Sequence, residues 1–206
     1  MEAINTGGDH DEITSFFLSC EEGDFVIHPR DVPYEFIGAD RDGGRVLYST
    51  KLNALLGHLS AVSHPVPEQI AVVGRYGLPS PLDKEWMTRL FADRAMFFLG
   101  DLDPVDLLVY SWLRRWIAPQ LVLVGVSDEL LDRLDIALED VPSMACSREE
   151  IDSLPFVNKT LSDLEELIGP KCLRLLNGGR KVETEGFLQA VGTHRKDLIS
   201  CLLAAE

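Results

Sequence analysis

Short apolar runs alternate with longer segments of helical spacing along the middle of the chain. The runs predict strands over residues 45–50, 69–73, 95–99 and 120–126. Between and after them, apolar residues recur every three or four positions, which predicts helices over 51–62, 84–92, 105–117 and 128–134. This alternation is typical of parallel crossover units, whose apolar strands are covered by helices on both faces. We therefore expect an α/β fold with a parallel sheet of about four strands flanked by helices.

The regular pattern divides the chain into three parts. Residues 1–44 form a short acidic extension in which Pro29 and Pro33 break the apolar residues into short strands, and residues 45–134 hold the α/β core. Residues 135–206 are irregular to helical, and their spacing predicts helices over 161–168, 181–189 and 197–205. We expect this C-terminal helical part to pack on the core.

The net charge of −15 limits what the free chain can bind. Affinity for nucleic acid comes largely from neutralised phosphates, so such an acidic protein is poorly suited to bind DNA unaided. Basic residues are concentrated locally: residues 71–120 hold six Lys or Arg against six acids, and residues 171–196 hold six against two. We expect DNA, if bound, to meet these two regions, and otherwise a protein partner to supply the positive charge.

Other features exclude several classes of protein. No run reaches the roughly 18 consecutive apolar residues of a membrane span, and the N-terminus lacks the basic and apolar regions of a secretory signal. The four cysteines form no CxxC pair, as expected for the thiols of a cytoplasmic protein. The sequence contains no P-loop or glycine-rich dinucleotide motif, so we predict no nucleotide cofactor.

The most informative stretch joins the third predicted strand to the helix that follows it. The apolar run ends in Gly100, and Asp101, Asp103 and Asp106 come next. Open α/β sheets bind ligands at the carboxyl ends of their strands, and neighbouring carboxylates suit a hard cation such as Mg²⁺. Asp101 and Asp103 are therefore candidate catalytic and metal-binding residues, with Asp106 as a candidate third ligand. The alternative is structural: Asp103 caps the helix that begins at Pro104, and Asp106 complements the helix dipole.

Charged residues elsewhere extend this candidate site. Arg75 follows the second predicted strand and Arg89 lies on the next helix, and arginine is suited to bidentate binding of phosphate. For Arg89 the alternative is an intrahelical ion pair with Glu85. Glu183 and Glu185 are candidates for an additional carboxylate, and the alternative for both is a solvated helix face.

The order of these motifs resembles the toprim domain, in the version found in the A subunit of type IIB topoisomerases (topoisomerase VI), the related meiotic double-strand-break protein and the toprim nuclease subunit of Wadjet-type defence systems. The likeness covers residues 45–130. It rests on Gly77-Leu78-Pro79, on the helical segment 88–91, on Asp101-Leu102-Asp103-Pro104 and on the helix over 105–110. The resemblance implies Mg²⁺-dependent cleavage of DNA phosphodiesters, with Asp101 and Asp103 holding the metal and Arg75 contacting phosphate.

Two departures bear on the activity that this resemblance implies. The family carries a metal-binding glutamate at the end of its first strand, and Ser49-Thr50 stands at the matching place. Asp106 stands where the family usually has a glycine, so Asp106, Glu183 or Glu185 is the candidate replacement for the missing acid. We therefore expect a toprim-like protein with a weak Mg²⁺ site and a weakened or lost activity.

Two other functions are compatible with the same residues. The first is a catalytically silent interaction or assembly module in a DNA-processing or defence system. The second is a phosphatase of the haloacid-dehalogenase type, because residues 101–105 also match the Asp-Xaa-Asp-Xaa-Val pattern of that family. That family places the motif on the first strand of its domain, whereas here two strand–helix units precede it.

Overall fold

The computed structural model describes residues 34–38, 44–61, 70–75, 79, 83–91, 94–192 and 198–204. Most of the predicted acidic extension over 1–44 lies outside these residues. So does the Gly77-Leu78-Pro79 motif, apart from Pro79. Among the helices of the described residues, none has the length and apolar character needed to cross a membrane.

A five-stranded sheet forms the centre of the fold. Its strands, in spatial order, are β1 (Tyr34–Gly38), β3 (Ile70–Arg75), β2 (Arg45–Ser49), β4 (Ala95–Leu99) and β5 (Val122–Leu123). Strands β2 to β5 are parallel, and β1 pairs antiparallel with β3 at one edge. The predicted α/β fold with four parallel strands is confirmed, and β1 adds an antiparallel edge strand.

Helices follow the parallel strands in the predicted order. They are α1 (Leu52–Ala61), α2 (Asp83–Phe91), α3 (Pro104–Trp116) and α4 (Asp128–Leu134). Consecutive residues of the central strands, such as Val46, Leu47 and Tyr48, are fully buried. Successive side chains of a strand point to opposite faces, so both faces of the sheet are covered. The predicted strand over 120–126 is shorter than expected, because only Val122 and Leu123 pair with β4.

The C-terminal part is more regular than its sequence pattern predicts. It contains a 3₁₀ turn (Leu138–Asp140), β6 (Met144–Ala145), α5 (Arg148–Thr160), α6 (Leu164–Ile168), α7 (Pro170–Asn177), β7 (Arg180–Lys181), α8 (Thr184–Val191) and α9 (Leu198–Leu202). Strands β6 and β7 form a separate antiparallel pair. The helix predicted over 181–189 begins only at Thr184, because Lys181 lies in β7 and Val182 pairs with Leu102.

The strand order creates a crevice beside β2. After β2 the chain forms β3 on one side of it and then β4 on the other, so the direction of winding reverses between β2 and β4. In open α/β sheets, ligands bind at the carboxyl ends of the strands at such a reversal. In this protein the carboxyl ends of β2 and β4 lead directly to Thr50 and Asp101. The candidate acidic site therefore lies where the topology favours a binding site.

Candidate functional site

Asp103 begins helix α3 as its N-terminal cap. Its backbone is extended, and its Oδ1 accepts a hydrogen bond of 2.7 Å from the Asp106 backbone N–H. Pro104 occupies the first turn, where its missing N–H costs no helical hydrogen bond. The structural prediction for Asp103 is thus confirmed, and one of its carboxylate oxygens is engaged in starting the helix.

Asp106 connects the ends of the two central strands. Its Oδ2 accepts hydrogen bonds of 2.6 Å from the Thr50 hydroxyl after β2 and of 2.6 Å from the Asp101 backbone N–H after β4. Gly100 permits this approach, because a Cβ at that position would lie 2.6 Å from Asp106 Oδ2 and 2.7 Å from the Phe98 ring. The glycine between the strand and the acids is therefore required by packing.

Asp101 is bound by donors from two distant parts of the chain. Its Oδ1 accepts hydrogen bonds from the Thr184 backbone N–H at 2.7 Å and from the Thr184 hydroxyl at 2.8 Å. Its Oδ2 lies 3.2 Å from Lys51 Nζ. Thr184 is the first residue of α8, and Glu183 before it makes no side-chain cap. Asp101 therefore caps α8 and complements the positive end of its dipole.

The segment that leads into α8 closes the crevice from the C-terminal side. Val182 pairs with Leu102, with N···O distances of 2.8 and 3.3 Å, and both residues are almost completely buried. Thr184 and Phe187 have no exposed surface. Helix α8 also packs against α1, the helix that follows β2. The carboxyl edge of the sheet is thus covered by the chain itself.

Burial changes the protonation of Asp103 and Asp106. The side chains of Asp101, Asp103 and Asp106 are almost completely buried. Burial, with the charge of Asp101, raises the pKa of Asp103 to about 7, against the opposing effects of the Asp106 N–H and Lys181. Burial and the charges of Asp103 and Asp101 also raise the pKa of Asp106 well above its usual range. Asp103 and Asp106 therefore hold a proton to higher pH than exposed aspartates do, and metal coordination would have to displace that proton.

Lys51 places an ammonium group between Asp101 and Glu185. Its Nζ lies 3.2 Å from Asp101 Oδ2 and 3.7 Å from Glu185 Oε2. Partial burial disfavours the charge, but Asp101 and then Glu185 outweigh burial and raise the pKa of Lys51 above its usual value. Lys51 lines a cavity of about 250 Å³ together with Thr50, Leu52, Asn53, Ala54, Gly74 and Glu185.

The other charged candidates are two glutamates, which pair with lysines, and two arginines. Glu183 lies 3.5 Å from Lys181 Nζ, and Lys181 also pairs with Glu150 at 2.7 Å. Glu183 and Glu185 thus each pair with a lysine. Arg75 is the last residue of β3 and Arg89 lies in α2, but the side chains of both are outside the described part of the structure. Phosphate binding by these arginines stays a prediction.

Most carboxylate oxygens of the three aspartates already have partners within the chain. Both oxygens of Asp101, one of Asp103 and one of Asp106 are engaged by donors of the chain. A hard cation needs ionised oxygens, and here Lys51 already supplies the positive charge. Within the described residues, no group of three or more His, Cys, Asp or Glu is placed so that it could hold a metal ion.

Three contributors to this site were not found from the sequence. Thr50 and Lys51 could have been found, because they follow β2 and the carboxyl ends of neighbouring parallel strands meet at one edge. The resemblance to the toprim family led us to expect only an acid at positions 49 and 50. Thr184 gave no such signal, because its contact with Asp101 joins residues 83 positions apart.

Comparison with family models and curated proteins identified no relative of this chain. No protein-family model matches the chain, and no curated protein matches it. The fold and the site together define an α/β protein with a largely parallel sheet, whose acidic carboxyl edge is held by hydrogen bonds and an ammonium group of the chain itself.

Proposed function

We propose that this chain is a toprim-like module that no longer cleaves DNA phosphodiesters and serves as an interaction or assembly component of a DNA-processing or defence system. The strand and helix order over 45–130 and the Asp-Xaa-Asp-Pro motif support the toprim-like assignment. The carboxyl end of β2 supports the loss of activity, because it carries a hydroxyl and an ammonium group where the family carries a glutamate.

One observation carries this proposal: the carboxylate of Asp101 is engaged at both oxygens. A metal-dependent nuclease needs that carboxylate free for its cation, and a phosphatase of the haloacid-dehalogenase type needs it free as a nucleophile. Here Asp101 receives two hydrogen bonds from Thr184 and an ion pair from Lys51. The geometry supports a structural use of the acid that the family uses in catalysis.

The charge of the chain supports action through a partner. A net charge of −15 opposes unaided binding to DNA, so a protein partner with basic residues would bring the module to nucleic acid. The regions 71–120 and 171–196 remain the segments where DNA would approach. We assign the module to the cytoplasm, where the described cysteines, Cys146, Cys172 and Cys201, would remain thiols as they are here.

Nicking of supercoiled plasmid DNA tests the proposal. Wild-type protein and Asp101→Asn are incubated with plasmid at 10 mM Mg²⁺ and, separately, at 10 mM Mn²⁺. We expect both proteins to leave the same small background of nicked circles. Nicking by the wild type that Asp101→Asn abolishes would show that the module is an active nuclease.

A further inference from the structure

Lys51 lies at the position where a cation of the acidic edge would be expected. It directly follows Thr50, at the carboxyl end of the central strand, and its ammonium is within 4 Å of carboxylate oxygens from β4's end and from α8. Asp101 is nearly buried, so an unbalanced charge there would be costly. The ammonium therefore provides the compensation that a bound cation provides in a metal site.

We propose that Lys51 is a resident cation that takes the place of a divalent metal at Asp101 and keeps metal ions from this edge. The inference rests on the proposed function, and it names the group that excludes the metal. It also implies that the edge keeps a latent capacity for metal, since removal of the ammonium leaves the carboxylates of Asp101 and Glu185 facing one position.

The surroundings suit a hydrated ion at that position. Mg²⁺ commonly keeps several waters and binds through one or two carboxylates. Lys51 and Glu185 line a cavity of about 250 Å³, which is large enough for such an ion with its waters. Glu185 is about half exposed, so its side chain is free to adjust to a shared ligand. Loss of the lysine charge should thus convert an ion pair into a weak metal site.

The test compares Lys51→Met, which removes the charge at similar length, with Lys51→Arg, which keeps it. The matched control is Lys171→Met, because Lys171 also pairs with an aspartate, at 3.4 Å, on an exposed surface. Two measurements are made on the whole chain: Mn²⁺ binding by electron paramagnetic resonance, and Tm in 10 mM MgCl₂ against NaCl of equal ionic strength. Asp101→Asn is the background control: it measures Mg²⁺ and Mn²⁺ binding to other acidic residues of the protein.

We expect the wild type, Lys51→Arg and Lys171→Met to bind no more Mn²⁺ than Asp101→Asn does. Lys51→Met should have a lower Tm without metal, and it should bind one additional Mn²⁺. With a Kd near 1 mM, 10 mM Mg²⁺ would raise its Tm by roughly 3–6 °C for a chain of this size. A second neutral variant, Lys51→Gln, should behave in the same way.

Two results would overturn the inference. One is a Mn²⁺ ion bound by the wild type and lost in Asp101→Asn, which decides the matter even if Lys51→Met does not fold. The other is a folded Lys51→Met or Lys51→Gln that gains no metal. Neither result would show that the protein is a nuclease. The inference is refuted by the metal-binding measurements, whereas the proposed function is refuted only if the wild type nicks DNA.

Discussion

Replacement of Asp103 by asparagine should stabilise the protein at neutral and alkaline pH and change its stability little in acid. The amide keeps a carbonyl oxygen for the Asp106 N–H, and asparagine caps helices about as well as aspartate. What the substitution removes is a negative charge that is almost fully buried beside Asp101 and Asp106. The variant thus separates the capping role of the residue from its charge.

The raised pKa sets the size and the sign of the effect. Burial, with the charge of Asp101, raises the pKa of Asp103 from 3.8 to about 7, and each pKa unit corresponds to about 1.4 kcal/mol. The folded state holds the proton more tightly than the unfolded state. Its stabilising contribution is therefore complete below about pH 4 and is lost as the pH rises through about 7. Asparagine does not ionise, so the variant avoids up to about 4 kcal/mol of this loss. A neutral cap interacts more weakly with the helix dipole, which reduces the gain by up to ~1 kcal/mol.

Urea unfolding at pH 4.5, 6 and 8 measures the difference. We expect Asp103→Asn and the wild type to have nearly equal free energies of unfolding at pH 4.5, and the variant to be more stable by about 3 kcal/mol at pH 8. Equal stability of the two proteins at pH 8, or a difference that does not change with pH, would refute the reasoning.

Asp128→Asn provides the control with the opposite sign. Asp128 also accepts backbone hydrogen bonds at the start of a helix, from the N–H groups of Lys171 and Cys172. Partial burial disfavours its charge, but these hydrogen bonds outweigh burial and lower the pKa of Asp128. A group with a lowered pKa contributes stability above its unfolded value and loses it in acid. This variant should therefore be less stable than the wild type at pH 8 and at pH 4.5 alike, and the difference should shrink only as the pH falls below about 3.8.

Two further predictions concern the packing of the same edge. Thr184→Val removes one of the hydrogen bonds to Asp101 and keeps nearly the same side-chain shape. The free energy of unfolding, measured by urea titration, should therefore fall by about 2 kcal/mol. A loss under ~0.5 kcal/mol would mean that the hydroxyl contributes little. Gly100→Ala should lower stability by about 1–3 kcal/mol, because its Cβ meets Asp106 and Phe98. Its control, Gly57→Ala, meets no atom within 4 Å in α1 and should raise stability by about 0.5–1 kcal/mol. Thermal unfolding of both glycine variants compares them, and equal changes in Tm would contradict the packing argument.

Local pattern was sufficient to predict the order of strands and helices from residue 45 to residue 134, although not the length of β5. The strand β4 matches its predicted bounds because the apolar run is ended by Gly100 and the aspartates. The cap at Asp103 was also predicted, since proline follows it directly. These features depend on residues that are close in sequence, and a periodic pattern can predict such local features.

The spacing of apolar residues was not sufficient to predict the helices and strands of the C-terminal part. Helix α5 was missed although Ser147 and Glu150 form a capping box at its start, a signal that is visible in the sequence. Pro155 lies inside α5, at a position where proline ordinarily disfavours a helix. The start of α8 was placed too early because the pairing of Val182 with Leu102 is a tertiary contact.

The three aspartates lie at the carboxyl edge of the sheet, as the pattern predicts, but their hydrogen-bond partners were not predictable as a set. Lys51 was within reach of inference, because it follows the strand next to that of Asp101. Thr184 was not, since only the folding of the C-terminal part brings α8 to the crevice. The acids alone suggested a vacant site for a cation, and the distant donors changed that interpretation.

The hydrogen bond from the Thr184 backbone N–H to Asp101 offers the most direct test of the central claim, that this chain itself engages the carboxylate a metal would need. The measurement is the ¹H–¹⁵N NMR resonance of the Thr184 amide, with its hydrogen-exchange protection, during a titration to 10 mM Mg²⁺. We expect the resonance to stay in place and the amide to remain protected, because Lys51 and Thr184 keep the oxygens of Asp101. A saturable shift with loss of protection, absent in Asp101→Asn, would contradict the account.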